Sequence, residues 1–238
     1  MTSKDGWFVS GIETDKQIGS LNEFIEKEGK WFNYIRGFED AGIHDNVDTG
    51  EFSLQGWLDD TINAAKDLKA NPKVNSVWLA GFGTGGALAI SAASRSEEVT
   101  GVAAISSPSD FHDWVQDPDQ LLEYSRAVGA ISDPDFPQDK NSWEAEIDSV
   151  RPLTAAEKMN GKPLLVVHGA SDQVVPSFDA RVIADAHGNA DLRIIDGGTH
   201  RLRFDPRATA IIIGWLDRTH RLQTKDISPN QYSSPKGK

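Results

Sequence analysis

The sequence predicts a single α/β domain: a compact, mostly parallel sheet of about six strands, helices on both faces and a small cap insertion. Three observations predict it. Short apolar runs alternate with segments of helical period along most of the chain, as in a parallel sheet covered on both sides. Residues 76–94, Ser-Val-Trp-Leu-Ala-Gly-Phe-Gly-Thr-Gly-Gly-Ala-Leu-Ala-Ile-Ser-Ala-Ala-Ser, pass from an apolar run through a glycine cluster straight into a small-residue helix. Residues 163–176, Pro-Leu-Leu-Val-Val-His-Gly-Ala-Ser-Asp-Gln-Val-Val-Pro, carry a second apolar run that stops at a glycine and an aspartate.

The elements follow in order. Gly6 to Ile12 is a β-rich run, and Thr14 with Gln17 three residues later forms a capping box for a helix burying Ile18, Leu21, Phe24 and Ile25 and stopping at Gly29. Trp31 to Ile35 is the second strand. Residues 37–53 are polar and read as a loop. Leu54, Trp57, Leu58, Ile62, Ala65 and Leu68 then mark an amphipathic helix that ends before Asn71-Pro72.

After the glycine cluster and its helix, Val99 to Ile105 is a buried strand closed by Ser106-Ser107-Pro108. Residues 109–160 are rich in Asp, Pro and Gln, with one modest helical pattern (Leu121, Leu122, Tyr124, Val128), and read as a cap over the sheet edge. Pro163 to Val167 is a strand, Phe178 to Ala186 a helix and Leu192 to Ile195 the last strand. Asp205 caps a final helix with Pro206 in its first turn and Ala210, Ile211, Ile213 and Leu216 as its apolar positions. Residues 1–223 thus form the domain, and 224–238, dominated by Ser, Pro, Lys and Gly, read as a disordered tail.

Composition narrows the function. The net charge of -12 repels phosphate backbones and anionic lipid, so neither nucleic acid nor a membrane surface is an expected partner. The chain has no cysteine, which removes disulfides, thiolate metal sites and a cysteine nucleophile, and it lacks the long apolar core of a secretory signal. A cytoplasmic location is expected. No histidine and carboxylate grouping has metal spacing, and no cofactor is expected: the order Gly81, Gly83, Gly85, Gly86 on a middle strand is not the dinucleotide fingerprint, and no Gly-Lys-Ser or Gly-Lys-Thr follows as a phosphate loop needs.

Gly81-Phe82-Gly83-Thr84-Gly85, between strand and helix, resembles the G-x-S-x-G nucleophile elbow of the α/β-hydrolase superfamily. The segment 163–176 resembles the one in which the prolyl-oligopeptidase-like and serine-aminopeptidase-like esterases and peptidases of that superfamily carry the triad acid, which places the acid at Asp172. Gly197-Gly198-Thr199-His200 resembles the loop bearing the triad histidine. The resemblance implies the α/β-hydrolase fold, a site at the carboxyl ends of the strands, and an Asp172 that accepts the Nδ1 proton of His200 and leaves Nε2 free as a base. Backbone donors at Thr84 and at Gly11 or Ile12 would form the oxyanion site, although this chain has Ser10-Gly11 where the family usually has His-Gly. Phe82, Phe111 and Trp114 would line the substrate pocket, with Tyr124 and Trp143 beside them or in a miniature core of the insertion.

One residue departs from the pattern. The nucleophile position holds Gly83. Three readings follow: a pseudoenzyme that binds a small acyl, ester or peptide-like ligand; an ester or amide hydrolase using an Asp172-His200 dyad and water; and a serine hydrolase whose nucleophile was replaced at Gly83. His168 reads as structural at a strand end, and Ser10 and Ser106 sit at strand ends with nothing in the sequence to bring them to His200.

Overall fold

A computed structural model describes residues 4–11, 31–36, 52–127, 131 and 133–226, with backbone alone for 4–11, 31–36 and 224–226. Six strands form one sheet in the order β2-β1-β3-β4-β5-β6, and every neighbouring pair is parallel. They are β1 (Lys4–Gly11), β2 (Trp31–Arg36), β3 (Val74–Phe82), β4 (Val99–Ile105), β5 (Leu164–Gly169) and β6 (Asp191–Ile195). The expected capping box, the helix over residues 18–25, Ile12, Val128 and residues 227–238 lie outside the described residues.

The side chains of the central strands alternate between two cores, as the twofold period of a strand requires. Leu79, Val102, Ala104, Leu164 and Val166 enter the larger core, where α1 (Leu54–Ala70), α2 (Thr84–Arg95) and the later helices over 152–157 and 177–187 pack. Trp78, Ala80, Ala103, Ile105, Leu165 and Val167 enter the smaller one, covered by α7 (Pro206–Asp226). Helices therefore sit on both faces. The rings of Trp78 and Trp215 meet edge to face at 5.6 Å, tying α7 to β3.

The face of α7 differs from expectation by its phase. Ala208, Trp215 and Leu216 are buried with Ile211 and Ile212 beside them, whereas Ala210 is exposed. Three consecutive isoleucines blur the helical period, and Trp215, whose Nε1 donates to Asp191 Oδ2 at 2.8 Å, decides it. Asp205 does start this helix, its Oδ1 accepting the backbone N–H of Arg207 at 2.9 Å.

Residues 109–160 hold more structure than the sequence suggested: a 3-10 turn (His112–Gln116), α3 (Pro118–Ala127), α4 (Lys140–Ser149) and α5 (Pro152–Glu157). Asp139 caps α4 by accepting from the N–H groups of Asn141 and Ser142. Trp143, Ile147, Val150, Ala156 and Met159 are buried in the larger core together with residues of α1 and α2. The second half of this segment is thus part of the main body. Trp143 also donates its Nε1 proton to the carbonyl of Phe52 at 2.7 Å, anchoring α4 to the segment that leads into α1.

Candidate functional site

Strand β3 reaches the glycine cluster at its carboxyl end, and α2 begins one residue later. A Cβ on Gly81 would lie 2.2 Å from the backbone oxygen of Gly85, so strand and helix approach more closely there than any larger residue allows. Gly83 sits between them at φ 55° and ψ -124°, a backbone that a glycine adopts without a Cβ clash. Its N–H donates to Ile105 O at 2.8 Å, which fixes the turn against the end of β4. Thr84, the first residue of α2, supplies one of the backbone N–H groups that a helix leaves without an intrahelical acceptor at its start.

Asp172 and His200 hang from the ends of β5 and β6. His200 Nδ1 lies 3.0 Å from Asp172 Oδ2, and the Asp172 side chain is fully buried. The other carboxylate oxygen, Oδ1, accepts the backbone N–H groups of Val174 and Val175, each at 2.9 Å. With Nδ1 donating to the carboxylate, the neutral ring of His200 carries its lone pair on Nε2. That nitrogen faces the elbow: a Cβ built on Gly83 would stand 3.9 Å from it.

Two more glycines make this convergence possible. A Cβ on Gly169 would lie 2.3 Å from Gly198 O, and the N–H of Ser171 donates to the same carbonyl at 2.8 Å. The loop of the aspartate and the loop of the histidine therefore meet backbone to backbone.

Solved structures share this arrangement of strands and helices. Est1E from Butyrivibrio proteoclasticus is 18% identical, with a TM-score of 0.62 over 92% of this chain and 90% of that one. GrgF, an α/β hydrolase from Penicillium sp. sh18, is 17% identical with a TM-score of 0.65 over 90% and 89%. The Pyrococcus furiosus esterase Pf2001 is 19% identical with a TM-score of 0.62 over 91% and 83%. The chain has the α/β-hydrolase fold. No family model matches the sequence, and no curated protein does.

Within the α/β-hydrolase fold, the three positions read from the sequence converge: Gly83, Asp172 and His200. Gly11 ends β1, whose Ser10 is in register with Gly81, so its backbone belongs to the same end of the sheet as the elbow. Phe82 is half-buried against the smaller core. Phe111 does not fit an open pocket wall: it is 1% exposed and belongs to the larger core, with its ring 4.7 Å from that of Trp114. The aromatic rings of Phe52, Trp57, Phe111, Trp114 and Trp143 stack into a shared cluster because each has more apolar area to bury than a surface insertion could cover. Tyr124 is exposed.

Ser106, just past the end of β4, is buried. It is 1% exposed at φ 50°, and its Oγ has no hydrogen-bond partner among the described residues. Among the described residues no cluster of three His, Cys, Asp or Glu is placed to hold a metal, and no helix is long and apolar enough to cross a membrane.

Two further groups belong to this region: His168, read from the sequence as structural, and Asp179, to which no role was given. His168, four residues before Asp172, places Nε2 3.2 Å from Asp172 Oδ2. Asp179, in the first turn of α6 (Ser177–His187), accepts the Ser109 hydroxyl at 2.7 Å. Burial chiefly pushes the Asp179 carboxyl above the usual range, with Asp110 and Asp113 adding to the rise while Ser109 and His168 oppose it. A carboxyl raised in the folded state stabilises the fold below the ordinary aspartate range, and that contribution is lost as pH rises through the raised value. Asp179→Asn keeps an acceptor for Ser109 and removes the loss. Its urea midpoint should therefore gain on the parent as pH rises from about 4 to about 7; a constant difference across that range would contradict the assignment.

Proposed function

We propose that this chain uses an α/β-hydrolase fold to bind a small acyl, ester or peptide-like molecule at the carboxyl ends of its strands, without forming a covalent acyl-enzyme. The observation that carries this reading is the Cα of Gly83 facing His200 Nε2 with no hydroxyl between them. An acyl-enzyme needs an oxygen or sulfur nucleophile at that point, and residue 83 has no side chain to supply one, nor does the chain contain a cysteine. The ligand class follows from what such a site accommodates, a carbonyl held by backbone N–H groups beside a neutral imidazole. Est1E, which shares the fold, has been solved with ferulic acid bound, a small carboxylic acid of this kind. A chain without cysteine also suits a reducing compartment, and we place its action in the cytoplasm.

A second reading is favoured by the hydrogen bond between Asp172 and His200. The His200 side chain is 32% exposed, and its Nε2 lone pair is positioned to take a proton from a water standing where a serine side chain would be. Hydrolysis would then proceed by direct attack of that water on the carbonyl carbon, the proton passing to Nε2 and later to the leaving group.

Ester turnover by the unmodified protein and by His200→Ala separates the two. Binding alone predicts rates at the buffer background for both and no labelling by a fluorophosphonate. Turnover that falls by about 10²-fold or more in His200→Ala while resisting the fluorophosphonate supports the water dyad and overturns the first reading.

A further inference from the structure

Two polar groups of opposite kind flank the place that a side chain of residue 83 would fill. One is the lone pair of His200 Nε2, 3.9 Å from a Cβ built on Gly83. The Asp172 carboxylate, 3.0 Å from Nδ1, holds the ring in the tautomer that keeps this lone pair on Nε2. The other is the N–H of Thr84, whose nitrogen is three bonds from the same Cβ and therefore close to it. Neither group has a partner among the described residues. The N–H of Gly83, by contrast, is taken by Ile105 O at 2.8 Å.

A ligand that satisfies both groups must carry a donor and an acceptor side by side. An ester has acceptors only, so it would leave the Nε2 lone pair without a proton to accept. A peptide bond in its usual trans form has a donor, but its N–H and C=O point in opposite directions. A primary amide presents both on one edge, and so does an amide closed into a small lactam ring, which is cis. A carboxyl group matches that edge only while it carries its proton. On the reading of Gly83, Asp172 and His200 as a ligand site, we infer that the site selects primary amides and lactams. The carbonyl sits on the Thr84 N–H and the amide N–H on His200 Nε2. The absence of a side chain at 83 is what leaves room for this edge.

Phenylacetamide, N,N-dimethylphenylacetamide and methyl phenylacetate share one acyl group, are all uncharged, and only the first has a donor. Chemical-shift titrations of the unmodified protein, followed at Gly83, Thr84 and His200, give each dissociation constant without any turnover. The primary amide should bind about tenfold more tightly than the other two, the effect of pairing one acceptor that they leave unpaired. His200→Leu removes that acceptor and should bring the three together. Equal affinities in the unmodified protein would overturn the selection while leaving a ligand site at the elbow, and this result needs no variant to fold. An amide preference that persists in His200→Leu would do the same, since bulk and not the donor would then be its cause. No shift at these residues with any of the three up to about 50 mM, beyond the range expected for ligands of about ten heavy atoms, would overturn the site itself and the selection with it.

Discussion

Gly83→Ser should convert this protein into one that a fluorophosphonate labels at residue 83, at least about 10³-fold faster than any reaction of the parent. The geometry is in place before the substitution. The added Cβ stands 3.9 Å from His200 Nε2, and a hydroxyl one bond further on can turn into hydrogen-bonding range of that nitrogen. Asp172 already holds the ring with Nε2 free, and Thr84 opens α2 with its N–H beside the turn. The backbone opposes the change. At φ 55° and ψ -124° a serine is strained where glycine is not, and the variant should lose about 1–3 kcal/mol of stability. Intact mass spectrometry after incubation with the probe, together with a denaturant titration, reads both effects. A folded serine variant that stays unlabelled would mean that His200 does not activate a group at 83, and a labelled parent would reveal a different nucleophile.

Gly169→Ala should be, with Gly81→Ala, among the most damaging single methyls in the site. The new Cβ would fall 2.3 Å from Gly198 O and 2.7 Å from Thr199 O, both backbone atoms that no rotamer change can move aside. Relief requires separating the aspartate loop from the histidine loop, which breaks the bond from Ser171 N to Gly198 O and draws His200 away from Asp172. A loss of about 3 kcal/mol or more is expected, against the 1–3 typical of overpacking with side chains that can yield. Chemical denaturation measures it. In the Gly83→Ser background the same change should abolish labelling under conditions where the double variant remains folded, and retention of labelling would show that the loops tolerate separation.

The fold was legible in the sequence where burial alone dictates the pattern. Strand β4 runs from Val99 to Ile105, as its unbroken small and apolar residues and the following Ser-Ser-Pro predict. Helix α4 was not legible, because only Trp143 and Ile147 are buried in it and a polar surround hides so sparse a signal. The resemblance of three strand-end segments, in the right order, to hydrolase motifs was enough to find Gly83, Asp172 and His200. The place of His168 was not legible, since its bond to the Val175 carbonyl depends on how the loop after β5 folds back over the strand end. Nor was the contact of Gly169 with Gly198, two glycines whose meeting exists only once β5 and β6 lie side by side. The placement of Phe111 in a pocket failed for a related reason: an aromatic residue near a mouth and one in a core look alike until its neighbours are known.

Strands β5 and β6, the helix between them and the loops that follow them form one continuous β-α-β unit, and that unit alone carries both Asp172 and His200. The elbow comes from a different part of the chain, some eighty residues earlier, and a Cβ built on Gly83 would stand 3.9 Å from His200 Nε2. Residue 83 and the Asp172-His200 pair thus stand on separate parts of the architecture. A single substitution at the elbow and one in the aspartate and histidine unit can therefore be introduced independently of each other.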